Sequence, residues 1–149
     1  MKAPLVAACP CGSQLSYAAC CAPLHDGLAA PDAAALMRSR YSAYVLAIDS
    51  YLLATWHAST RPQQVAADDP AAAPKWLALE VRRHLATGPE TAIVEFVARY
   101  RVQGRAYRLH EISRFVREAG RWYYVDGECP STPLKSSRAA IRRPRSADE

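Results

Sequence analysis

The chain has 149 residues and a formal net charge of +5, and alanine makes up much of its 50% apolar fraction. This length supports one domain of about 100 to 130 residues with a short appendage and excludes two full domains. The composition is that of a soluble globular protein, since no apolar run approaches the roughly 18 residues that span a bilayer.

The first nine residues share one feature with a lipoprotein signal, because small residues lead up to Cys9. Only six residues separate Lys2 from Cys9, and one of them is Pro4. A secretory apolar segment needs about 7 to 15 residues. We therefore expect a cytoplasmic protein that does not bind a membrane.

Four of the five cysteines fall within thirteen residues, as a C-x-C pair followed by an adjacent C-C pair. Zinc prefers thiolates at the corners of a tetrahedron, and two short pairs joined by a turn supply them. Gly12 and Ser13 follow the first pair and suit such a turn. Because protein fills every coordination position, hydrolytic zinc catalysis is disfavoured. The predicted ligands of a structural Zn²⁺ are Cys9, Cys11, Cys20 and Cys21.

Two other interpretations of these cysteines stay open, namely disulfide bonds and a redox-active thiol pair. A reducing cytosol keeps thiols free, and a bridge between the adjacent Cys20 and Cys21 is strained. Cys129 stands apart in the sequence and is interpreted as a plain thiol. His25, just past the cluster, is a candidate competing ligand.

The string CPCGSQLSYAACCAPLHDG resembles the SEC-C motif, the zinc knuckle at the C-terminus of the SecA translocation ATPase. In SecA such knuckles serve partner recognition, so the resemblance implies a protein or ribosomal partner. The family usually has glycine after C-P-C-G-S, and here Gln14 takes that place.

Helices are predicted next along the chain. Asp32 can cap an amphipathic helix in which apolar residues recur at three- and four-residue spacing, leaving Arg38, Ser39 and Ser42 on other faces. Asp49 can cap a second, short helix that runs through Trp56. The segment 60–74 is predicted to be a loop with one helical turn near 63–67.

From Lys75 onward the apolar period changes to two, which predicts strands. Alternation covers 77–82 and 92–102, Gly104 marks a turn, a third strand runs over 106–118, and a fourth covers 121–126. Helices followed by an antiparallel meander predict an α+β architecture in which one sheet face packs on the helices.

The stretches LMRSRYSAYV, DSYLLATWH, FVARY and EISRFVREAGRWYYVDG resemble the YchJ family of UPF0225 bacterial proteins. The resemblance implies an NTF2-like (cystatin-like) middle domain, a cone of curved antiparallel sheet packed on the N-terminal helices. We expect a knuckle over 1–28, this domain over 29–128 and a basic, disordered tail over 129–149. Many family members carry a second knuckle at the C-terminus, where this sequence has Cys129 and arginines.

One predicted sheet face carries a carboxylate, Glu111, among apolar residues. A buried carboxylate must be paired, protonated or directed into a cavity. One hypothesis is an internal anchor in which Glu111 pairs with Arg40. The alternatives are a ligand pocket and general acid/base catalysis by Glu111 or His57. The candidate pocket residues are Arg40, Tyr44, Trp56, His57, Glu111 and Tyr124.

The sequence favours a non-catalytic adaptor that docks a protein or ribosomal partner through its knuckle, and it assigns no catalytic residue. The alternative is a small-molecule-binding or enzymatic domain with its pocket around Glu111. Nucleic acid is expected only at the tail, where five basic residues lie between Lys135 and Arg145 without an acid. A homodimer through the exposed sheet face is a further expectation.

Overall fold

The computed structural model of the protein describes residues 8–65 and 74–129. A 3₁₀ helix (Tyr17–Ala19) precedes three α-helices, namely α1 (Ala22–His25), α2 (Ala33–Leu46) and α3 (Asp49–Ala54). Four strands follow, namely β1 (Lys75–Gly88), β2 (Thr91–Val102), β3 (Arg105–Glu118) and β4 (Arg121–Glu128). Among the described residues, no helix has both the length and the apolar character to cross a membrane.

The long helix α2 begins where the sequence predicts, because the Asp32 side chain accepts a hydrogen bond from the Ala35 amide at 2.8 Å. It ends at Ala47, whose φ of 59° is left-handed. The prediction that Ser39 and Ser42 lie on solvent faces was wrong, since both are fully buried. Helix α2 is covered on two sides, so it lacks a simple polar face.

Two smaller predictions about the segment after α2 need correction. Ile48, rather than Asp49, is the N-cap of α3, and Asp49 lies within the first turn of that helix. No helical turn forms over 61–65, the described part of the predicted turn near 63–67. The rest of that loop and the basic tail beyond Cys129 lie outside the described residues.

The strands form one antiparallel meander in the order β1-β2-β3-β4. Gln103–Gly104 and Ala119–Gly120 close two tight hairpins, and all four residues have positive φ, as two-residue turns of the I′ kind require. Strand β1 is longer than predicted, and its pairing with β2 shifts register three times. Such bulges bend a sheet, which produces the curvature expected of an NTF2-like cone.

The concave sheet face packs on α2 and forms the core. Val94, Phe96 and Ala98 of β2 are fully buried there, and Phe96 lies opposite Glu111 of β3. The predicted α+β architecture, with an antiparallel sheet on N-terminal helices, is confirmed. The knuckle packs on another side of α2, and Cys9, Cys11 and Cys21 belong to the same buried cluster as Met37 and Tyr41.

Candidate metal centre

Local turns bring the two cysteine pairs together. The Cys9 amide donates to the Leu15 carbonyl at 2.9 Å, closing the chain around the first pair. Gly12 and Gln14 both have positive φ, 86° and 75°, so Gln14 adopts the left-handed conformation for which glycine is best suited. The Ser16 side chain then caps the 3₁₀ helix by accepting from the Ala19 amide, and this helix leads directly into the second pair.

The four sulfurs form a compact cluster with the dimensions of a tetrahedral thiolate site. All four lie within 4.8 Å of one another, with 3.6 Å between the sulfurs of Cys11 and Cys20 and 3.9 Å between those of Cys20 and Cys21. Zinc–sulfur bonds of about 2.3 Å place tetrahedral ligands about 3.8 Å apart. The cysteines are free thiols. The cluster therefore fits one metal ion.

Two serines contact the sulfurs from outside the tetrahedron. Ser13 Oγ lies 3.2 Å from the sulfur of Cys20, and Ser42 Oγ lies 3.3 Å from that of Cys21 and 3.5 Å from that of Cys9. Hydroxyl donors of this kind hold ligand sulfurs in place and stabilise their negative charge. Ser42 belongs to α2, so the NTF2-like domain completes the surroundings of the cluster.

Hydrogen bonding between sulfurs makes the metal-free thiols unequal. The side-chain hydrogen bond with Cys21 lowers the pKa of Cys11 to about 4, and the same contact raises the pKa of Cys21. Burial raises the pKa of the Cys20 thiol. Without a metal the cluster thus favours one thiolate, whereas a bound dication stabilises several at once.

His25 contacts neighbours other than the sulfurs. Its Nδ1 lies 2.7 Å from the hydroxyl of Tyr17, and its Nε2 lies 2.8 Å from the carbonyl oxygen of Ser39. Since a carbonyl only accepts, Nε2 carries the proton and Nδ1 accepts from Tyr17. Both ring nitrogens are engaged, so His25 joins the knuckle to α2 in place of the competing-ligand role considered above.

The candidate pocket residues divide into a buried group and two outlying residues. Arg40, 3% exposed, donates to the Leu52 carbonyl and to Thr55 Oγ1, both at 2.8 Å. Its guanidinium carbon lies 4.9 Å from the ring centroid of Trp56 and 4.6 Å from that of Tyr124. Burial lowers the pKa of Arg40, and nearby tyrosines and Glu111 act in the opposite direction.

Glu111 is 2% exposed and hydrogen-bonds within the sheet. Its Oε2 accepts from Ser113 Oγ at 2.7 Å and from the Tyr124 hydroxyl at 3.3 Å. Tyr124 therefore lies between the two charges, since its ring contacts Arg40 and its hydroxyl contacts Glu111. A Cβ at Gly127 would collide with the Glu111 carboxylate, so this glycine makes room for it. The predicted anchor is a relay through Tyr124 in place of a direct ion pair.

Tyr44 and His57 lie apart from this buried network. The ring of Tyr44 packs on Trp76 with centroids 5.6 Å apart. His57 is hydrogen-bonded near the surface, with Nε2 2.8 Å from Glu118 Oε2 and Nδ1 2.7 Å from Ser59 Oγ. Of the six candidate residues, the structure thus brings together Arg40, Trp56, Glu111 and Tyr124.

Sequence reasoning missed the serines of α2 as parts of the site. Ser42 contacts the cluster, and Ser39 presents its carbonyl to His25 and its hydroxyl to Tyr51 at 2.7 Å. Their spacing of three residues places them on one face of α2, which is the available signal. Without the position of the knuckle, that face reads as solvent-exposed.

Comparison with protein families gives two matches along the chain. The model described as "YchJ, middle NTF2-like domain" matches residues 32–127, and the SEC-C motif matches residues 7–23. A UPF0225 protein of Xanthomonas oryzae is 58% identical over 119 residues, which cover 79% of this chain and 92% of that protein. One from Methylibium petroleiphilum is 59% identical over 122 residues, 80% of this chain and 87% of its own.

Two solved structures resemble this fold. The solution structure of a SEC-C motif-containing protein from Rhodopseudomonas palustris gives a TM-score of 0.70 at 34% identity, covering 83% of this chain and 98% of that one. The crystal structure of a SEC-C motif-containing protein from Psychrobacter arcticus gives 0.62 at 28% identity, covering 87% and 84%. Knuckle and NTF2-like domain thus occur together in solved relatives.

Proposed function

The chain belongs to the UPF0225 (YchJ) family, and we propose that it is a non-catalytic, zinc-stabilised adaptor that recognises a protein or ribosomal partner through its SEC-C knuckle. The observation that carries this proposal is the closed cluster of four sulfurs. Four thiolates complete the tetrahedron, so the ion has a structural role and leaves no position for water or substrate. Free thiols are maintained in a reducing compartment, which supports a cytoplasmic location.

The outer side of the knuckle offers a surface for a partner. Leu15, in the turn between the two cysteine pairs, is 54% exposed, although the fold around it is held rigidly by the cluster. Exposed apolar side chains on a rigid turn are suited to insertion into a partner pocket. Recognition would then use the surface that the metal orders, while the metal itself stays enclosed.

A groove of about 340 Å³ adjoins the knuckle and extends this surface. It lies where the knuckle meets α3 and β4, and its lining includes Leu24, Leu28, Tyr51 and Trp122. Arg121 crosses from β4 to the Gly27 carbonyl at 2.9 Å, so the relative position of the two walls is fixed. A partner that docks on the knuckle can therefore contact both parts of the molecule.

The test is a capture experiment with matched variants of the metal-loaded protein. We expect Leu15→Ser to lose a specific partner, identified by mass spectrometry, or to stop co-sedimenting with ribosomes. Leu77→Ser is the control, because Leu77 is a similarly exposed leucine on β1. Equal capture by wild type, Leu15→Ser and the metal-free Cys20→Ser protein would sink the adaptor proposal. The homodimer stays a prediction, checked by the mass of the protein in solution.

A further inference from the structure

The outer sheet face carries a group of cations at the end near the Gln103–Gly104 turn. Residues directly opposite each other on antiparallel strands share a face. Arg99 lies opposite Arg108, and Arg101 lies opposite Lys75. Since Arg99 and Arg101 are two positions apart on β2, all four share the face opposite to the buried Phe96 and Ala98. We call these four exposed residues the hairpin patch.

The hairpin patch differs from the rest of that face in its lack of acidic partners. Further along, Glu95 contacts Arg83 at 3.2 Å and His110 at 2.7 Å, and Arg114 contacts Asp126 at 2.6 Å. Among the described residues, none of the four patch cations has an ion-pair or hydrogen-bond partner for its side chain. The fold thus neutralises the other charges of this face and leaves these four concentrated.

Placing like charges opposite each other is unfavourable for the sheet. Arg99 and Arg108 form such a pair at the centre of the hairpin patch, and opposed like charges on neighbouring strands destabilise the folded state. Strand neighbours lie about 4.8 Å apart, and alternate residues along a strand about 6.7 Å apart. The patch is therefore a dense cationic grid whose repulsion an extended polyanion would relieve.

An exposed aromatic ring lies on the reverse side of the same hairpin. Tyr107 is 42% exposed, and its ring stacks on that of Tyr100 with centroids 5.3 Å apart and planes 15° apart. Arg105, also exposed, stands between this ring and the turn. Cationic side chains beside a supported aromatic ring are the combination that binds single strands, with phosphates on the cations and a base on the ring.

We propose that the hairpin patch and Tyr107 bind a single-stranded nucleic acid, with the cations contacting its phosphates and Tyr107 stacking on a base. This goes beyond the proposed function and uses no part of the knuckle. A second copy of the chain, placed patch to patch, would oppose cations with cations. An acidic protein would satisfy the charges but has no need of the tyrosine ring.

The experiment titrates the full-length metal-loaded protein into fluorescently labelled 12-mers of rU and of dT, measuring anisotropy at several salt concentrations. The test variant is Arg99→Ala with Arg108→Ala, and the matched control is Arg114→Ala with Arg117→Ala on the same strand. Loss of two phosphate contacts lowers the salt slope by about 1.4 and the affinity by about 25-fold at about 0.1 M salt. The control should bind as wild type does.

Folding is checked in parallel, since removing opposed arginines should leave the thermal midpoint of the test variant unchanged or higher. Tyr107→Ala should weaken binding about fivefold or more through loss of base stacking. Equal binding by wild type and the arginine variant would overturn the proposal and assign any affinity to other basic residues. Full binding by Tyr107→Ala would also overturn it, because the patch would then hold any polyanion. The ratio of rU to dT affinity distinguishes RNA from DNA as the source.

Discussion

Helix α2 separates two buried polar clusters that are completed in different ways. On one side, the sulfurs of the knuckle contact Ser42 and have the spacing of a metal site. On another side, Arg40 and Glu111 are completed by carbonyls, hydroxyls and the ring of Tyr124. The first depends on an ion from solution, whereas the second contains all its partners. Their stabilities should therefore respond to different perturbations.

Loss of the metal should have the largest effect on this comparison. We expect Cys11→Ser to lose zinc and at least about 4 kcal/mol of stability, the linkage energy of a ligand present at about 1,000 times its Kd. The loss reaches the whole domain because Cys11 shares its core with Met37 and Tyr41. Elemental analysis and thermal unfolding with and without a chelator measure both quantities.

Cys129→Ser is the control for that experiment, since Cys129 lies outside the sulfur cluster. It should retain about one zinc per chain and respond to chelators as wild type does. A Cys11→Ser protein that still held one equivalent of zinc would contradict the assigned ligand set.

Arg40→Met tests the cluster that needs no metal. It leaves the Leu52 carbonyl, Thr55 Oγ1 and the buried Glu111 without the charge that faces them, so we expect a loss of about 3–5 kcal/mol. Zinc content should not change. Urea unfolding gives the loss, and Arg82→Met, at an exposed arginine, is the control. A variant as stable as wild type would show that Arg40 is dispensable to the core.

Gly127→Ala sharpens the account of how Glu111 is accommodated. The new methyl group meets the carboxylate, and such overpacking costs about 1–3 kcal/mol. In a Glu111→Ala background the collision is absent, so the same substitution should cost clearly less. A double-mutant cycle by urea unfolding measures the difference. Equal costs in both backgrounds would argue against the close approach of Gly127 to Glu111.

Ser42→Ala links the two sides of α2 and should have the smallest effect on stability. Losing the hydroxyl that contacts the sulfurs of Cys9 and Cys21 should cost about 1 kcal/mol and weaken zinc binding about tenfold or more. Competition with a chromophoric chelator reports the zinc affinity. Ser50→Ala, at an exposed serine, should leave it unchanged. An unaltered affinity in Ser42→Ala would separate the helix from the metal site.

Much of the fold was predictable because its signals are local. Asp32 caps α2, and the hairpins turn at Gly104 and Gly120 as the sequence indicates. The length of β1 was not predictable, because its bulges interrupt the alternation on which strand prediction depends. Ser39 and Ser42 were misassigned because their environment comes from a knuckle that is distant in sequence.

The candidate sites divide along the same line. The spacing of the cysteines indicates a metal site, since ligands close in sequence can meet through short turns. The partners of Glu111 required the structure, because Ser113, Tyr124 and Gly127 meet its carboxylate only after β3 pairs with β4. The same holds for the hairpin patch, whose arginines converge only through strand register.

The sequence by itself therefore determined the cysteine cluster, the helix cap, the turns and the order of strands, because each depends on neighbours a few residues away. The tertiary structure decided that Tyr124 mediates between Arg40 and Glu111, and that Ser42 contacts the sulfurs. Those contacts join elements far apart in sequence. Their geometry depends on how side chains pack between the elements, and residue spacing does not encode that packing.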